Sequence, residues 1–269
     1  MRKKVVLITG GSSGIGKAIG QFLTQKGYEV FGTTRNLAKN QGFSDFQLLE
    51  MDVHNAQSVA TAVSQVITQS GRIDVLINNA GVGITGPIEE TPDTEIHHAF
   101  ETNLYGPIRV MKSVLPHMRE QGSGFIINIT SIAGYMGLPY RGIYSATKGA
   151  LELVTESIRM EVKGFGVQVT NLAPGDFATN IASGRYHSPV LEDSPYKEPY
   201  GFSLETMNAH VDEGQEPTVV AEKVYRLIQK KQPKVHYLVG SFMQRFSIVL
   251  KKLLPDRMYE RMLLNHYKL

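Results

Sequence analysis

A tyrosine and a lysine lie four residues apart in the stretch IYSATKGALEL, residues 143–153. Four residues make about one helical turn, so the side chains of Tyr144 and Lys148 would point the same way. A tyrosine hydroxyl has a pKa of about 10 and is a poor acid or base at neutral pH. A cation held ~4 Å away at an effective dielectric constant of ~20 would favour the phenolate by ~4 kcal/mol, roughly three pKa units. The pair predicts a general acid–base; the alternative is a surface lysine beside a half-buried tyrosine.

A glycine-rich turn follows the first predicted strand, KVVLIT, at residues 4–9. The residues after the turn have the apolar spacing of a helix. A strand, a glycine turn and a helix are the context of a dinucleotide-binding fingerprint, because glycines let the backbone approach a pyrophosphate at the helix N-terminus. The alternative is a glycine turn without a ligand. The candidate contacts, with spacing TGxxxGxG rather than GxGxxG, are Gly10, Ser12, Ser13, Gly14, Ile15 and Gly16.

The second predicted strand, residues 28–34, ends at Arg35, and no acidic residue occurs between Phe31 and Gln41. NAD sites usually have an acid here to bind the ribose 2′-hydroxyl, whereas a carboxylate would repel a 2′-phosphate. A guanidinium can bind that phosphate through two hydrogen bonds. Thr34 and Arg35 therefore predict NADP(H) in preference to NAD(H). The alternative is that Arg35 is a solvated loop charge.

Other candidate contacts follow four further strands, predicted at residues 46–53, 73–78, 125–130 and 167–172; the seventh strand is predicted at residues 235–239. Ligands of open α/β sheets bind beyond the carboxyl ends of the strands, so these residues should meet along one edge. Asp52 would either accept a hydrogen bond from adenine or cap the helix that starts near Asn55. The residues at these ends are Asp52, Val53, Asn79, Ala80, Gly81, Ser131, Pro174 and Gly175.

Strands and helices alternate along the chain, with the glycine turn first. This order predicts an α/β fold with one doubly wound, parallel, seven-stranded sheet, the Rossmann fold, in a single domain. Residues 1–240 form this domain, including a substrate lid at about residues 180–216 that has little periodicity. A helix predicted from about residue 93 to 120 carries Asn103 near its middle, where a polar residue usually faces solvent.

Residues 241–269 are predicted to add a C-terminal helical extension to the same domain, broken at Pro255. The expected role of this extension is packing on the protein itself or on a partner subunit. The alternative is a basic amphipathic helix that lies on a membrane or closes the substrate site. Its apolar stripe consists of Phe242, Phe246, Val249, Leu250 and Leu253.

Composition excludes several functional classes. The hydrophobic fraction of 42% argues against disorder, and a net charge of +3 from scattered basic residues does not indicate nucleic-acid binding. The absence of cysteine excludes disulfides, thiolate nucleophiles and cysteine-ligated metals. No histidine pair has metal-ligand spacing beside a carboxylate, so no metal is expected. Since no apolar run could span a bilayer, the expected location is the cytoplasm.

Several motifs in this order resemble those of the short-chain dehydrogenase/reductase family over nearly the whole chain. They are TGGSSGIG at residues 9–16, NNAG at 78–81, Asn103, Ser131, Tyr144-x-x-x-Lys148 and Pro174-Gly175. The resemblance implies that Tyr144 is the general acid–base and that Lys148 binds the nicotinamide ribose and lowers the tyrosine pKa. It also implies that Ser131 hydrogen-bonds the substrate oxygen and that Asn103 anchors a water linking Lys148 to solvent.

The same resemblance implies that the backbone around Phe177, with Thr179, fixes the nicotinamide carboxamide. It further implies that the helices containing Asn103 and Tyr144 pair between subunits of a homodimer or homotetramer. The stretches NNAGVGITGPIEE and GSGFIINITSIAGYMGLPYRGIYSATKGALE look most like the hydroxysteroid and retinol dehydrogenase branch, whose substrates are large and apolar. Expected substrate contacts, which would also suit ordinary loop packing, are Ala133, Met136, Leu138 and Tyr186.

The expected function is therefore NADP-dependent interconversion of a secondary alcohol and a ketone or aldehyde, as in carbonyl reductases. The expected partner is a small, apolar alcohol or ketone. Two alternatives remain open at this point. One is a regulatory protein that senses NADPH without turning it over. The other is a 3-oxoacyl thioester reductase, because bacterial acyl-carrier reductases share much of this pattern.

Overall fold

Strands and helices alternate in the computed structural model, which describes residues 2–177, 184–212 (without the side chains of 208–212) and 215–269. The strands are β1 (Val5–Ile8), β2 (Glu29–Thr34), β3 (Gln47–Glu50), β4 (Val75–Asn78), β5 (Ile84–Thr85), β6 (Gly124–Ile129), β7 (Val167–Pro174), β8 (Tyr186–His187) and β9 (His236–Val239). The helices are α1 (Gly14–Gln25), α2 (Ala56–Ser70), α3 (Asp93–Phe100), α4 (Gly106–Glu120), α5 (Gly142–Glu161), α6 (Lys197–Asp212), α7 (Thr218–Ile228), α8 (Phe242–Leu253) and α9 (Asp256–Tyr267).

Seven strands form one parallel sheet in the order β3-β2-β1-β4-β6-β7-β9. Val6 of β1 pairs with Val30 of β2 on one side and with Val75 of β4 on the other. The chain order therefore reverses between β1 and β4, which is where doubly wound sheets bind ligands. The predicted seven-stranded Rossmann fold in a single domain is confirmed.

Helices cover both faces of this sheet. Residues of β1 alternate between the faces, so Leu7 packs with Val63 of α2 and Ile8 packs with Ile19 of α1. All four residues of β1 are buried, as expected for a strand covered on both sides. The two apolar cores hold the strand ends at a fixed edge of the sheet.

The helical stretch predicted at about residues 93–120 contains a π turn, Glu101–Tyr105, between α3 and α4. Asn103 lies in this turn and is fully buried, unlike most polar residues in the middle of a helix. π turns are rare and occur mostly at functional sites. The turn therefore marks Asn103 as a candidate functional residue.

Three elements, the two strands of a second sheet and one helix, were not expected from the sequence. Strands β5 and β8 form a second, two-stranded parallel sheet, in which Ile84 pairs with Tyr186. Helix α6 lies within the segment expected to be an aperiodic lid. Its first turns contain Pro199 and Gly201, residues that are typical of loops, so the sequence pattern concealed it.

The extension formed by α8 and α9 packs on the domain through Ile248 and Tyr259, next to Met136. The Tyr259 hydroxyl donates a hydrogen bond to the Met136 sulfur at 2.8 Å. The extension thus packs on its own fold, but through a face beside the predicted stripe, of which Leu250 packs against this cluster. The rest of the stripe is exposed: Phe242 by 67%, Phe246 by 38%, Val249 by 44% and Leu253 by 75%.

Across the described ranges, no helix has both the length and the apolar character that crossing a bilayer requires.

Candidate active site

A cavity of about 750 Å³ opens at the carboxyl edge of the main sheet. It lies at the switch point between β1 and β4, and its volume is in the range of cofactor and ligand pockets. The structure brings most of the sequence-predicted site residues together in its walls. They are Gly10, Ser12, Ser13, Gly14, Ile15, Thr34, Arg35, Asp52, Val53, Asn79, Ala80, Gly81, Ser131, Tyr144, Lys148, Pro174, Gly175 and Phe177.

The glycine turn brings the backbone of α1 to this cavity. Gly10 has φ +65° and Gly14 has φ +52°, in the left-handed region that favours glycine. Gly16 does not line the cavity, but a Cβ on it would lie 2.3 Å from the Gly10 carbonyl oxygen. Ser13 is the N-cap of α1 and makes no side-chain capping hydrogen bond, so the first N–H groups of the helix can meet an anion.

The part of the cavity beside β2 is basic. Arg35 and Lys39 both line it, and Asn40 Nδ2 donates a hydrogen bond to Thr34 Oγ1 at 3.2 Å. Lys39 has no motif and was not predicted from the sequence. This end of the cavity offers two cations to a bound phosphate.

Asp52 lines the cavity and does not cap α2. Its Oδ1 accepts a hydrogen bond from the His54 N–H at 3.0 Å. The cap is instead Asn55, whose Oδ1 accepts from the N–H groups of Gln57 at 2.9 Å and Ser58 at 3.0 Å. The capping role considered for Asp52 is therefore wrong.

Tyr144 and Lys148 share the cavity-facing side of α5, as their spacing predicts. The Lys148 Nζ lies 6.0 Å from the centroid of the Tyr144 ring and donates to the Ile129 carbonyl oxygen at 3.1 Å. Ser131 follows β6, and its hydroxyl accepts from the Ala133 N–H at 3.2 Å. Three polar groups therefore converge on one wall.

Burial dominates the electrostatics of this wall. Burial raises the pKa of Tyr144. The charge of Arg141, a hydrogen bond with Ser131 and the charge of Arg185 each lower this pKa, and the charge of Asp176 raises it. Burial lowers the pKa of Lys148 to about 8. The expectation that Lys148 lowers the tyrosine pKa is therefore wrong for this arrangement, because Arg141, the hydrogen bond with Ser131, and Arg185, and not the lysine, oppose the effect of burial.

Asn103 lies behind the cavity wall rather than in it. Its Oδ1 accepts from the Val82 N–H at 2.9 Å, and its Nδ2 donates to the Val82 carbonyl oxygen at 2.9 Å and to Thr147 Oγ1 at 3.1 Å. A Cβ on Gly81 would lie 3.1 Å from Asn103 Oδ1 and 3.3 Å from Lys148 Nζ. The asparagine therefore fixes the loop after β4 against α5.

The four residues expected to contact substrate do not line this cavity. Met136 and Leu138 pack against the C-terminal extension formed by α8 and α9, which contains none of the sequence motifs. Ala133 is buried, and Tyr186 belongs to the second sheet. Thr179, expected at the carboxamide, lies outside the described residues.

The family model for short chain dehydrogenases matches residues 4–188. The chain belongs to the short-chain dehydrogenase family. As a member, it is an oxidoreductase that acts on CH–OH and C=O groups, which is the enzyme class that its motifs indicate.

Three relatives of this short-chain dehydrogenase are named as reductases or as a hydroxysteroid dehydrogenase. It is 38% identical to the 3-ketodihydrosphingosine reductase of Bacteroides thetaiotaomicron, over 97% of this chain and 96% of that protein. It is 31% identical to human 17-beta-hydroxysteroid dehydrogenase type 1, over 95% of this chain and 82% of that protein. It is also 31% identical to the NADPH-dependent 3-dehydrocapnine reductase of Ornithobacterium rhinotracheale, over 96% and 95%.

Solved structures share the fold. A short-chain dehydrogenase from Streptomyces avermitilis is 30% identical with a TM-score of 0.82, covering 100% of this chain and 97% of that one. ElxO with NADP bound is 29% identical with a TM-score of 0.72, covering 88% and 96%. A Burkholderia phymatum enzyme in complex with NAD is 24% identical with a TM-score of 0.80, covering 97% and 95%, and shows the fold alone. The NADP in the ElxO structure shows that the neighbours of this fold include nicotinamide-nucleotide enzymes.

Three further residues of the site were not predicted from the sequence as site residues. Thr9 Oγ1 accepts from the N–H groups of Asn79 at 2.9 Å and Ala80 at 3.0 Å, and so joins the ends of β1 and β4. Its place directly after a buried strand could have indicated this. Arg141 and Arg185 line the cavity from loops, where no motif marks them. Throughout the described residues, no group of three metal-ligating side chains occurs.

Proposed function

We propose that this enzyme is an NADPH-dependent ketoreductase in which Tyr144 is the general acid–base. The observation that carries the proposal is a single cavity with the Tyr144 wall at one side and the uncapped N-terminus of α1 at the other. A polar reactive group beside an anion-binding helix end is what a nicotinamide nucleotide requires.

The residues present fit the dinucleotide. Left-handed glycines and the uncapped first turn of α1 suit the pyrophosphate. Asp52 lines the same cavity and would accept a hydrogen bond from the adenine amino group. Lys148 would hold the nicotinamide ribose, and the backbone at Phe177, with Thr179, would hold the carboxamide. The cofactor would supply the hydride.

The protein's own part of the reaction is proton transfer to the substrate oxygen. Tyr144 keeps its proton at neutral pH because burial raises its pKa, so it suits a donor in the direction of reduction. Ser131 and Tyr144 would both hydrogen-bond the oxygen as negative charge develops on it. Lys148 and Asn103 would connect the tyrosine to solvent through water.

NADP(H) is the proposed nucleotide because Arg35 and Lys39 provide two cations beside β2. An acidic side chain at the end of β2 would favour NAD, and none is present among residues 35–40. The NADPH-dependent relative and the NADP complex of ElxO support the same preference.

The proposed substrate class is a long-chain ketone. Two relatives that match nearly the whole chain are named for reduction of 3-ketodihydrosphingosine and 3-dehydrocapnine. The test is the loss of NADPH absorbance with 3-ketodihydrosphingosine, a steroid ketone, retinal and an acetoacetyl thioester. Turnover of the long-chain ketone above the others is expected. Consumption of only the thioester would favour a 3-oxoacyl thioester reductase, and consumption of none would contradict the proposal.

We also propose a homodimer or homotetramer formed through the helices that carry Asn103 and Tyr144. Large apolar side chains are exposed there: Tyr105 by 48%, Leu153 by 67% and Met160 by 72%. Light scattering of the purified protein, and of Leu153→Asp, tests this assignment. A monomeric wild-type protein would contradict it.

A further inference from the structure

Two arginine side chains line the cavity beside Tyr144 and have no part in the proposed nucleotide site. The Arg141 guanidinium carbon lies 5.6 Å from the centroid of the Tyr144 ring. Arg185 packs against Gly83, where a Cβ would lie 2.8 Å from Arg185 Cγ. Both side chains therefore border the position where the substrate carbonyl must meet the tyrosine.

These guanidinium groups are incompletely neutralised. Neither forms an ion pair with a carboxylate in the described part of the chain. Arg185 Nη1 is buried and has no hydrogen-bond partner there. Asp176 lines the same cavity, but its Oδ2 already accepts from Gln244 Nε2 at 2.8 Å. A buried donor without a partner costs free energy, and an anionic ligand would supply the hydrogen-bond acceptor that Arg185 Nη1 lacks.

We propose that Arg141 and Arg185 form a subsite for an anionic group of the substrate, a carboxylate or a sulfonate carried close to the reacting carbonyl. Guanidinium groups bind such planar or trigonal oxyanions through paired hydrogen bonds. This inference rests on the proposed ketoreductase function and narrows its substrate to a ketone with an acidic head. Among long-chain ketones, 4-oxododecanoate should therefore be reduced in preference to 3-ketodihydrosphingosine, because two arginines would repel the ammonium group of the latter.

Binding can be tested without turnover. Calorimetric titration of the NADPH complex with decanoate and with decanamide compares an acid with a neutral analogue of equal chain length. The wild-type enzyme should bind decanoate about tenfold or more tightly, and Arg185→Gln and Arg141→Gln should each remove that preference. Arg185→Lys keeps the charge and should retain part of it. Equal binding of the two ligands by the wild-type enzyme overturns the subsite.

Turnover separates this inference from the proposed function. With 4-oxododecanoate and its methyl ester, each Arg→Gln variant should raise KM for the acid about tenfold and change KM for the ester less than about twofold. Arg226→Gln, on α7 and 70% exposed, is the matched control and should alter neither. Reduction of the ester without preference for the acid overturns the subsite alone. Reduction of neither ketone contradicts the proposed function, and the calorimetric comparison still decides the subsite.

An independent observation concerns α8. Its outer face exposes Phe242, Phe246, Val249 and Leu253, and the Phe242 and Phe246 rings stack with centroids 5.6 Å apart. Residues 241–269 contain six Lys and Arg against two Asp and Glu, a side-chain charge of +4. The whole chain carries +3 from 28 basic and 25 acidic residues, so residues 1–240 together carry −1. The basic excess therefore lies in the extension that carries the apolar face.

We infer that the outer face of α8 docks on an anionic lipid bilayer, lying flat on its surface. Apolar side chains flanked by cations are what binds a helix to the interface of such a membrane. The opposite side of α8 places Gln244 on Asp176 at the cavity, so docking would bring the site to the membrane surface.

Vesicle sedimentation of the full-length protein tests the docking. Binding to phosphatidylcholine vesicles that contain phosphatidylglycerol is expected, with little binding to phosphatidylcholine alone. Val249→Asp should lose it, whereas Val219→Asp, the same change on α7 at nearly the same exposure (43% against 44%), should keep it. Failure of the wild-type protein to sediment with anionic vesicles overturns the inference. So does dissociation of an oligomer by Val249→Asp without any vesicle binding, which would identify a subunit interface.

Discussion

The Lys148 ammonium lies 6.0 Å from the centroid of the Tyr144 ring and donates a hydrogen bond to the Ile129 carbonyl oxygen at 3.1 Å. The lysine is therefore fixed by the backbone at the end of β6, and its position does not depend on the tyrosine. The two residues are placed by different contacts and can be altered separately.

Replacement of Tyr144 by phenylalanine tests the proton donor. Tyr144→Phe keeps the ring but has no proton to give, so kcat should fall by about 10²–10⁴. Because the glycine turn and Lys148 are intact, NADPH affinity measured by fluorescence titration should change less than about twofold. Tyr105→Phe, on the π turn and 48% exposed, is the control and should keep normal turnover. Normal turnover by Tyr144→Phe would refute the assignment.

Charge reversal at Arg35 tests the nucleotide preference. Arg35→Asp places a carboxylate where the 2′-phosphate is expected, so KM for NADPH should rise roughly ten- to hundredfold while KM for NADH falls. Steady-state kinetics with both nucleotides measures the change. Lys39→Ala should shift the ratio in the same direction by less. An unchanged ratio in Arg35→Asp would mean that another part of the chain holds the phosphate.

A methyl group at Gly16 tests the close packing of the glycine turn. The Cβ of Gly16→Ala would lie 2.3 Å from the Gly10 carbonyl oxygen and 2.5 Å from Asn79 Nδ2. Such overpacking costs about 1–3 kcal/mol or more in the free energy of unfolding, measurable by urea denaturation. The matched control is Gly42→Ala, since a Cβ at Gly42 meets nothing within 4 Å. Equal stability of the two variants would show that the turn can relax.

The buried carboxyl of Glu152 predicts a pH dependence of stability. Burial raises its pKa from 4.5 to about 7, although its Oε1 accepts a hydrogen bond from Thr130 at 2.9 Å. Between these two pH values the unfolded chain has lost the proton that the folded protein keeps. The contribution of Glu152 to the free energy of unfolding is therefore fully present below pH 4.5, and it is lost as pH rises through about 7.

Glu152→Gln should remove this dependence. The free energy of unfolding of the wild-type protein, relative to the variant, should fall by up to about 3 kcal/mol across that range. Urea denaturation at both ends of the range measures it. Glu161→Gln, an exposed glutamate on the same helix, should show no comparable change. Parallel pH profiles of Glu152→Gln and the wild-type protein would assign the carboxyl an ordinary pKa.

The fold could be predicted from the sequence because its signals are local. The buried strand VVLI and the glycines after it lie within a few residues of each other, and the strand ends then meet because parallel strands share an edge. The same rule brought Asp52, Gly81 and Ser131 to one cavity.

The remainder of the site depends on contacts between distant residues. Met136 is covered by Tyr259, which lies 123 residues further along the chain, so its neighbours cannot be inferred from spacing. Arg185 belongs to no motif. The pKa of Tyr144 depends on burial and on two loop arginines, and four-residue spacing carries no information about either.

The π turn gives α3 and α4 different rotational phases. One residue more than an α-helical turn rotates every later side chain by about 100° around the common axis. An apolar face read continuously through residues 93–120 therefore loses its alignment at Glu101–Tyr105. Deletion of one residue there would join α3 and α4 into one continuous α-helix. The Asn103 side chain would then turn away from Val82, and the loop after β4 would lose the two hydrogen bonds that hold it.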